Sequence, residues 1–166
     1  MVNHSYIVYS PVGYIKISLK KRISQRNIEE SILSDFEAQL AACYEDLGYS
    51  STILNNSPLF FEYASFLNEE NDLTEWCHLH VGDVVSINSD EDDISYSIIR
   101  AIFCHQKDDR CFAFIIIDWF EITNQTKLGC PIYKLKMTNN WRRVFPISVV
   151  NATNTMHFVH CCKDAL

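Results

Sequence analysis

The chain has 166 residues, 48% hydrophobic and 21% charged, which is enough apolar material for one ordinary core and too much for a disordered chain. Its four glycines and four prolines leave little from which to build a glycine-rich phosphate loop or a proline-rich linker, and many nucleotide enzymes are excluded on that ground. The net charge of −7 is unevenly laid out: residues 1–26 carry five basic groups and no acid, residues 27–93 sixteen acids and no Lys or Arg, and residues 94–166 nine basic and five acidic groups, so a nucleic acid is repelled from any surface the centre dominates.

The amino terminus reads as a hairpin. Tyr6, Ile7, Val8 and Tyr9 are β-rich, residues 10–13 have turn chemistry around Pro11 and Gly13, and residues 14–19 alternate apolar with polar. From Asn27 the period changes. Ile28, Ile32, Phe36, Leu40, Tyr44 and Leu47 recur at three- and four-residue steps, which predicts one amphipathic helix with Asn27 as its cap, Glu30 completing the capping box and Gly48 as its stop. Residues 59–67 fit a strand or a short helix. The acidic, polar stretch 68–72 predicts a solvated connection, dividing an N-terminal hairpin-helix unit (1–75) from a second unit (76–166) packed beside it.

Beyond that point short strands alternate with polar turns. Strands are predicted over 81–87 and 96–103, with an acidic loop at 88–93 between them and another loop at 105–110. Residues 112–120 are nearly all apolar and predict a strand buried on both faces. Residues 131–136 alternate cleanly, 142–150 predict a further strand, and 157–160 a last one. The expected class is α+β: an antiparallel β-barrel with an N-terminal hairpin and amphipathic helix.

The longest apolar run, 112–117, is far shorter than the roughly 20 residues of a membrane helix, and no basic leader precedes an apolar stretch at the amino terminus. Seven cysteines are scattered without framework spacing, so reduced thiols and an intracellular location are expected.

Taken in order, Val81, Gly82, Asp83, Val84 and Val85, then 96–102 with Arg100 near the end, then 114–120 closing on Trp119 and Phe120, form a series that resembles the opening of a BAH (bromo-adjacent homology) domain. The likeness is close over 79–121 and looser over 122–162; after Trp119 and Phe120 the family continues with an Arg-Pro-type segment, where this chain has Glu121, Ile122 and Thr123. Residues 118–121, 129–135, 141–147 and 157–160 also resemble tail regions of certain fungal transposon-type proteins, which would make the chain an accessory region separated from a transposase-like core. The BAH likeness implies a barrel-like β core and a nuclear, non-catalytic module that binds a histone tail or another basic protein segment. On that reading Tyr96, Trp119 and Phe120, with Tyr133 and Trp141, could supply the rings of an aromatic cage, and Asp90, Glu91, Asp92 and Asp93 could meet a basic ligand. The competing role for the same rings is to fill the core, with Trp119 packed and its indole N–H seeking one acceptor.

Three further constellations are present. Cys77, His78 and His80, joined in space to His157, His160, Cys161 and Cys162, could make a tetrahedral zinc site, although strand alternation sends Cys77 and the two histidines to opposite faces; no metal, cofactor or catalytic residue is assigned. Asp108 and Asp109 fit an exposed turn, while Asp118, inside an apolar strand, calls for a partner such as Arg100. The basic segments 16–26, with Lys20, Lys21, Arg22 and Arg26, and 134–143, with Lys134, Lys136, Arg142 and Arg143, could form a phosphate-binding stripe if the fold joins them, which makes nucleic-acid binding the alternative function.

Overall fold

A computed structural model of the chain describes residues 4–10, 13–52, 56–70, 73–88, 94–137 and 141–151. The expected hairpin is present: β1 (His4–Ser10) pairs antiparallel with β2 (Gly13–Ile23), in register from His4↔Leu19 to Ser10↔Gly13. Along β2, Ile17 and Leu19 are buried while Lys16 and Lys20 face outward, as a period of two requires.

The helix is shorter than its apolar spacing suggests. Two 3₁₀ turns (Gln25–Asn27 and Glu30–Leu33) precede α1 (Phe36–Asp46), and Asn27 caps nothing. Asp35, at φ 55°, breaks the path ahead of α1. The Ser31 and Ile32 carbonyls, which a continuous helix would pair with Asp35 and Phe36, instead accept Nη1 of Arg143 at 3.1 and 3.4 Å. The spacing nonetheless reports burial correctly, since Ile28, Ile32, Phe36 and Leu47 all pack against the core. Gly48 stops α1 as expected: at φ 80° it donates to Glu45 O, Tyr49 donates to Tyr44 O, and the Tyr49 and Tyr44 rings meet at 6.5 Å, a Schellman closure.

Residues 59–67 resolve as strand. β3 (Leu59–Glu70) pairs with β2, with β4 (Leu73–His80) and, through Leu59, Phe60 and Phe61, with β6 (Ile94–Lys107). Of the stretch 68–72, Asn68, Glu69 and Glu70 thus belong to β3 and pair with β4, while 71–72 lie outside the described residues; the pairing ladder runs from the N-terminal strands straight into the second half. β5 (Val84–Asn88), β6 and β7 (Arg110–Lys127) then follow as three consecutive antiparallel strands, as 81–120 predicted. Gly82 enters the first at φ 98°, and the Asp83 carboxylate accepts the His80 N–H at 2.8 Å.

The loop expected over 105–110 shrinks to two residues. Asp108 and Asp109, at φ 50° and 60°, form the left-handed pair of a tight hairpin turn, so His105 and Lys107 belong to a strand and are buried. β8 (Cys130–Leu135) pairs with the far end of β7. The strand expected over 142–150 is split into β9 (Val144–Pro146), a 3₁₀ turn (Ile147–Val149) and β10 (Val150–Asn151), which joins β5; residues 157–160 lie outside the described residues.

The class is therefore α+β, mostly antiparallel sheet with one α-helix among the described residues. The expected barrel is corrected: among the described residues the ten strands form a sheet that is not closed. β1 and β7 meet only at the single parallel bridge Val8↔Cys111, whereas β6 and β7 are laddered over most of their length. No helix among the described residues is long and apolar enough to cross a membrane.

Two apolar clusters occupy the two faces of β6 and β7. Ile17, Leu19, Phe61, Phe66, Ile99, Ile102, Ile115 and Ile117 fill the space enclosed by the curling sheet. On the other face α1 lays Leu40, Cys43 and Tyr44 over Phe103, Phe112, Phe114 and Val144. Phe112 to Ile117 are consequently all buried, whereas Asp118, Trp119 and Phe120, included in the two-faced burial predicted over 112–120, are only partly buried. Each fully buried phenylalanine contributes roughly 1.5–3 kcal/mol by burial alone.

Candidate functional site

α1 covers only part of the second face of β6 and β7. Past its end, the sheet surface forms the floor of a cleft of about 380 Å³, walled on one side by Glu29, Ser31 and Ile32 and on the other by Leu135, Lys136, Met137 and Trp141. A bulge builds the floor. Ile99 pairs with Ile117 and Ala101 with Ile116, so Arg100 is the unpaired extra residue, and its side chain turns onto Asp118.

Asp118 is the hub of this floor. Its Oδ2 accepts Arg100 Nε at 2.8 Å, and its Oδ1 accepts Arg143 Nε and Nη2 at 2.8 and 2.7 Å. The expected Arg100 partnership is thus present, joined by a second arginine. Arg143 is further spent on the Ile117, Ser31 and Ile32 carbonyls, while Gln39 Oε1 accepts the Arg143 and Val144 N–H groups at 2.7 and 3.1 Å. These bonds fasten α1 and the wall carrying Glu29 to the sheet.

Trp119 packs against the enclosed cluster, meets Phe145 edge to face at 5.6 Å, and gives its indole N–H to Arg142 O at 2.7 Å, the single acceptor expected for it. Tyr96 and Phe120 lie on the opposite face from Trp119, because Tyr96 neighbours the Ser97 that pairs with Trp119 and Phe120 is next in the strand. The three rings therefore do not converge; Tyr96 instead meets Tyr133 of β8 at 5.6 Å. Two of the predicted rings line the cleft, Trp119 and Trp141, and the more open is Trp141, half exposed, with Lys136 Nζ 3.8 Å from its centroid. Asp90, Glu91, Asp92 and Asp93 lie outside the described residues.

The basic stripe is not assembled as a free surface. Arg142 gives Nε to Val144 O at 2.9 Å and Nη2 to Cys43 Sγ at 2.7 Å, and Nη1 pairs with Asp46, so it ties α1 to β9. Arg143 is held by Asp118 and the wall carbonyls, and Lys21 pairs with Glu62 at 3.1 Å. Lys20, Arg22 and Arg26 are exposed and form no ion pair among the described residues.

Along β4, Cys77 and Leu79 are buried while His78 and His80 face outward, as alternation required. No group of three or more metal-ligating side chains occurs among the described residues, and His157, His160, Cys161 and Cys162 lie outside them.

A buried polar seam beneath α1 is not singled out by the sequence. His105 Nδ1 and the Tyr44 hydroxyl are 2.6 Å apart, and Lys107 Nζ donates to Thr52 O at 2.6 Å and to Ser50 O while lying 4.7 Å from the Tyr44 ring centroid. Burial holds His105 below the ordinary imidazole range, with the Lys107 charge adding to the effect. The signal is present in the spacing: His105 and Lys107 follow Ala101 and Phe103 at steps of two.

Of the charged groups lining the cleft, Arg143 and Asp118 are saturated. Among the described residues, Glu29, two nitrogens of Arg100, and Lys136, whose ammonium meets the Trp141 ring, retain capacity to bind. No family model, curated protein or solved structure matches this chain.

Proposed function

We propose that the chain is a non-catalytic protein-interaction module with a BAH-type β core, acting in the nucleus, and that the cleft beside Trp141 binds a lysine-bearing basic segment such as a histone tail. The observation that carries this is the Lys136 ammonium 3.8 Å from the Trp141 ring centroid: the cleft already accommodates a lysine on an aromatic face, the contact through which a ligand cation is attracted. Exposed Glu29 on the wall, with Glu30, Asp35 and Glu37 following in the same segment, adds carboxylates suited to steering a basic chain toward it. The volume of about 380 Å³ suits one or two side chains of an extended peptide rather than a folded partner.

The test is titration of the full chain with lysine-rich histone-tail peptides and with an acidic peptide of equal length. Binding of the basic peptides, weakened at least fivefold by Trp141→Ala, is expected. Failure of every basic peptide to bind at low salt overturns the proposal.

Nucleic-acid binding is the second possibility, favoured by the exposure of Lys20, Arg22 and Arg26. With Lys21, Arg142 and Arg143 engaged within the fold, about three phosphate contacts remain, and the salt dependence of binding would have a logarithmic slope near −2 to −3. A slope near zero, or no binding at low salt, removes it.

A further inference from the structure

One of the cleft's own lining groups, the Lys136 ammonium, lies over the Trp141 ring, and the role inferred for it rests on the proposed function. Its lining carries three cations, Arg100, Lys136 and Arg143, against two acids, Glu29 and Asp118. With Lys136 in place the lining is positive by one charge and opposes a basic segment; without that charge it is neutral, and the acids of the 3₁₀ wall dominate its surroundings. The same ammonium covers the ring the partner would use.

Lys136 is held there weakly and can leave. Among the described residues its ammonium has the Trp141 ring and no carboxylate. Its backbone is fixed by the Lys136 N–H bond to Trp119 O at 2.8 Å, so departure needs only rotation of the side chain. Lys134, two residues earlier, differs: it pairs with Glu121 at 3.2 Å and, among the described residues, covers no ring.

We infer that Lys136 is an internal pseudo-ligand, an intramolecular lysine that holds the Trp141 face until the partner's lysine displaces it, and so sets the affinity threshold of the cleft. A partner must supply contacts beyond one ammonium, which selects segments with several basic residues over a single exposed lysine. Neutralising Lys136 lowers the threshold.

Two measurements test this. In NMR spectra of the full chain, the Lys136 ε-methylene protons are expected upfield of the other lysines through the ring current of Trp141, and a saturating acetylated tetralysine peptide returns them to ordinary positions. In titrations with the same peptide at about 0.15 M salt, Lys136→Gln should bind about two- to fivefold tighter than Lys134→Gln, the variant with the same charge change away from the ring. An unshifted Lys136 signal, a signal the peptide does not move, or equal affinities of the two variants overturns the pseudo-ligand while leaving the proposed function standing. Absence of binding by the wild type and both variants overturns both, and binding by Lys136→Gln alone supports both.

Discussion

Asp118→Asn removes one charge from the cleft floor while keeping its shape. Asp118 accepts three N–H groups from two arginines at 2.7–2.8 Å, with the carboxylate 27% exposed and Arg100 and Arg143 at 34% and 19%. Exposed ion pairs are worth about 0–1 kcal/mol, whereas stripping one partner from a buried pair costs about 3–5 kcal/mol. Two pairs at intermediate exposure fall between these limits, so a loss of about 2–3 kcal/mol is expected, or roughly 5–10 °C in Tm for a chain of this size. The loss should not be local. Arg143 also holds the Ser31 and Ile32 carbonyls, so amide exchange in the wall segment 25–33 should accelerate with it. Urea denaturation of Asp118→Asn, Arg143→Met and the double variant gives the coupling, expected to exceed about 1 kcal/mol. A loss below about 0.5 kcal/mol, or additive single changes, would refute the reasoning that Asp118 organises the floor.

Phe103→Ala, at a fully buried position facing Phe36, Phe60 and Phe114, should cost about 3–5 kcal/mol in urea midpoint measurements. Lys107→Ala strands the Ser50 and Thr52 carbonyls and should cost about 2–3 kcal/mol, with faster proteolysis of the 50–52 segment as the accompanying sign. His105 is held below the usual imidazole range by burial, so the unfolded chain binds its proton first; stability is fully present above about pH 6.5 and falls as the pH drops below it, and His105→Gln should flatten that part of a urea midpoint series. Asp109→Gly relieves a side chain at φ 60° in the hairpin turn and should stabilise by up to about 1 kcal/mol in thermal melts.

The sheet is legible in the sequence where one physical requirement acts alone. Residues 112–117 have to be buried on both faces, and Asp118 among apolar neighbours has to find a cation; both follow from desolvation without any knowledge of topology. The helix start misleads because burial and helicity share a spacing: Ile28 and Ile32 are at core positions, but Arg143, more than 100 residues away, takes the carbonyls that a helix would use. The hairpin turn is shorter than expected because Asp108 and Asp109 are polar enough to suggest a longer loop, while the strand period through His105 and Lys107 points inward. Trp141 is recognisable as a possible cage ring, yet its pairing with Lys136 depends on how the chain on either side of residues 138–140 returns to the sheet, which no local pattern encodes.

The chain has three tryptophans, so their indole N–H signals report directly on where a basic segment binds. In a titration of the ¹⁵N-labelled chain with a lysine-rich histone-tail peptide, the Trp141 signal should move saturably together with the Lys136 and Met137 amides. Trp76, 58% exposed on β4, should stay fixed as the internal control. Movement of Trp76 with Trp141 unchanged, or no movement of any indole at saturating peptide, would contradict the placement of the binding site in this cleft.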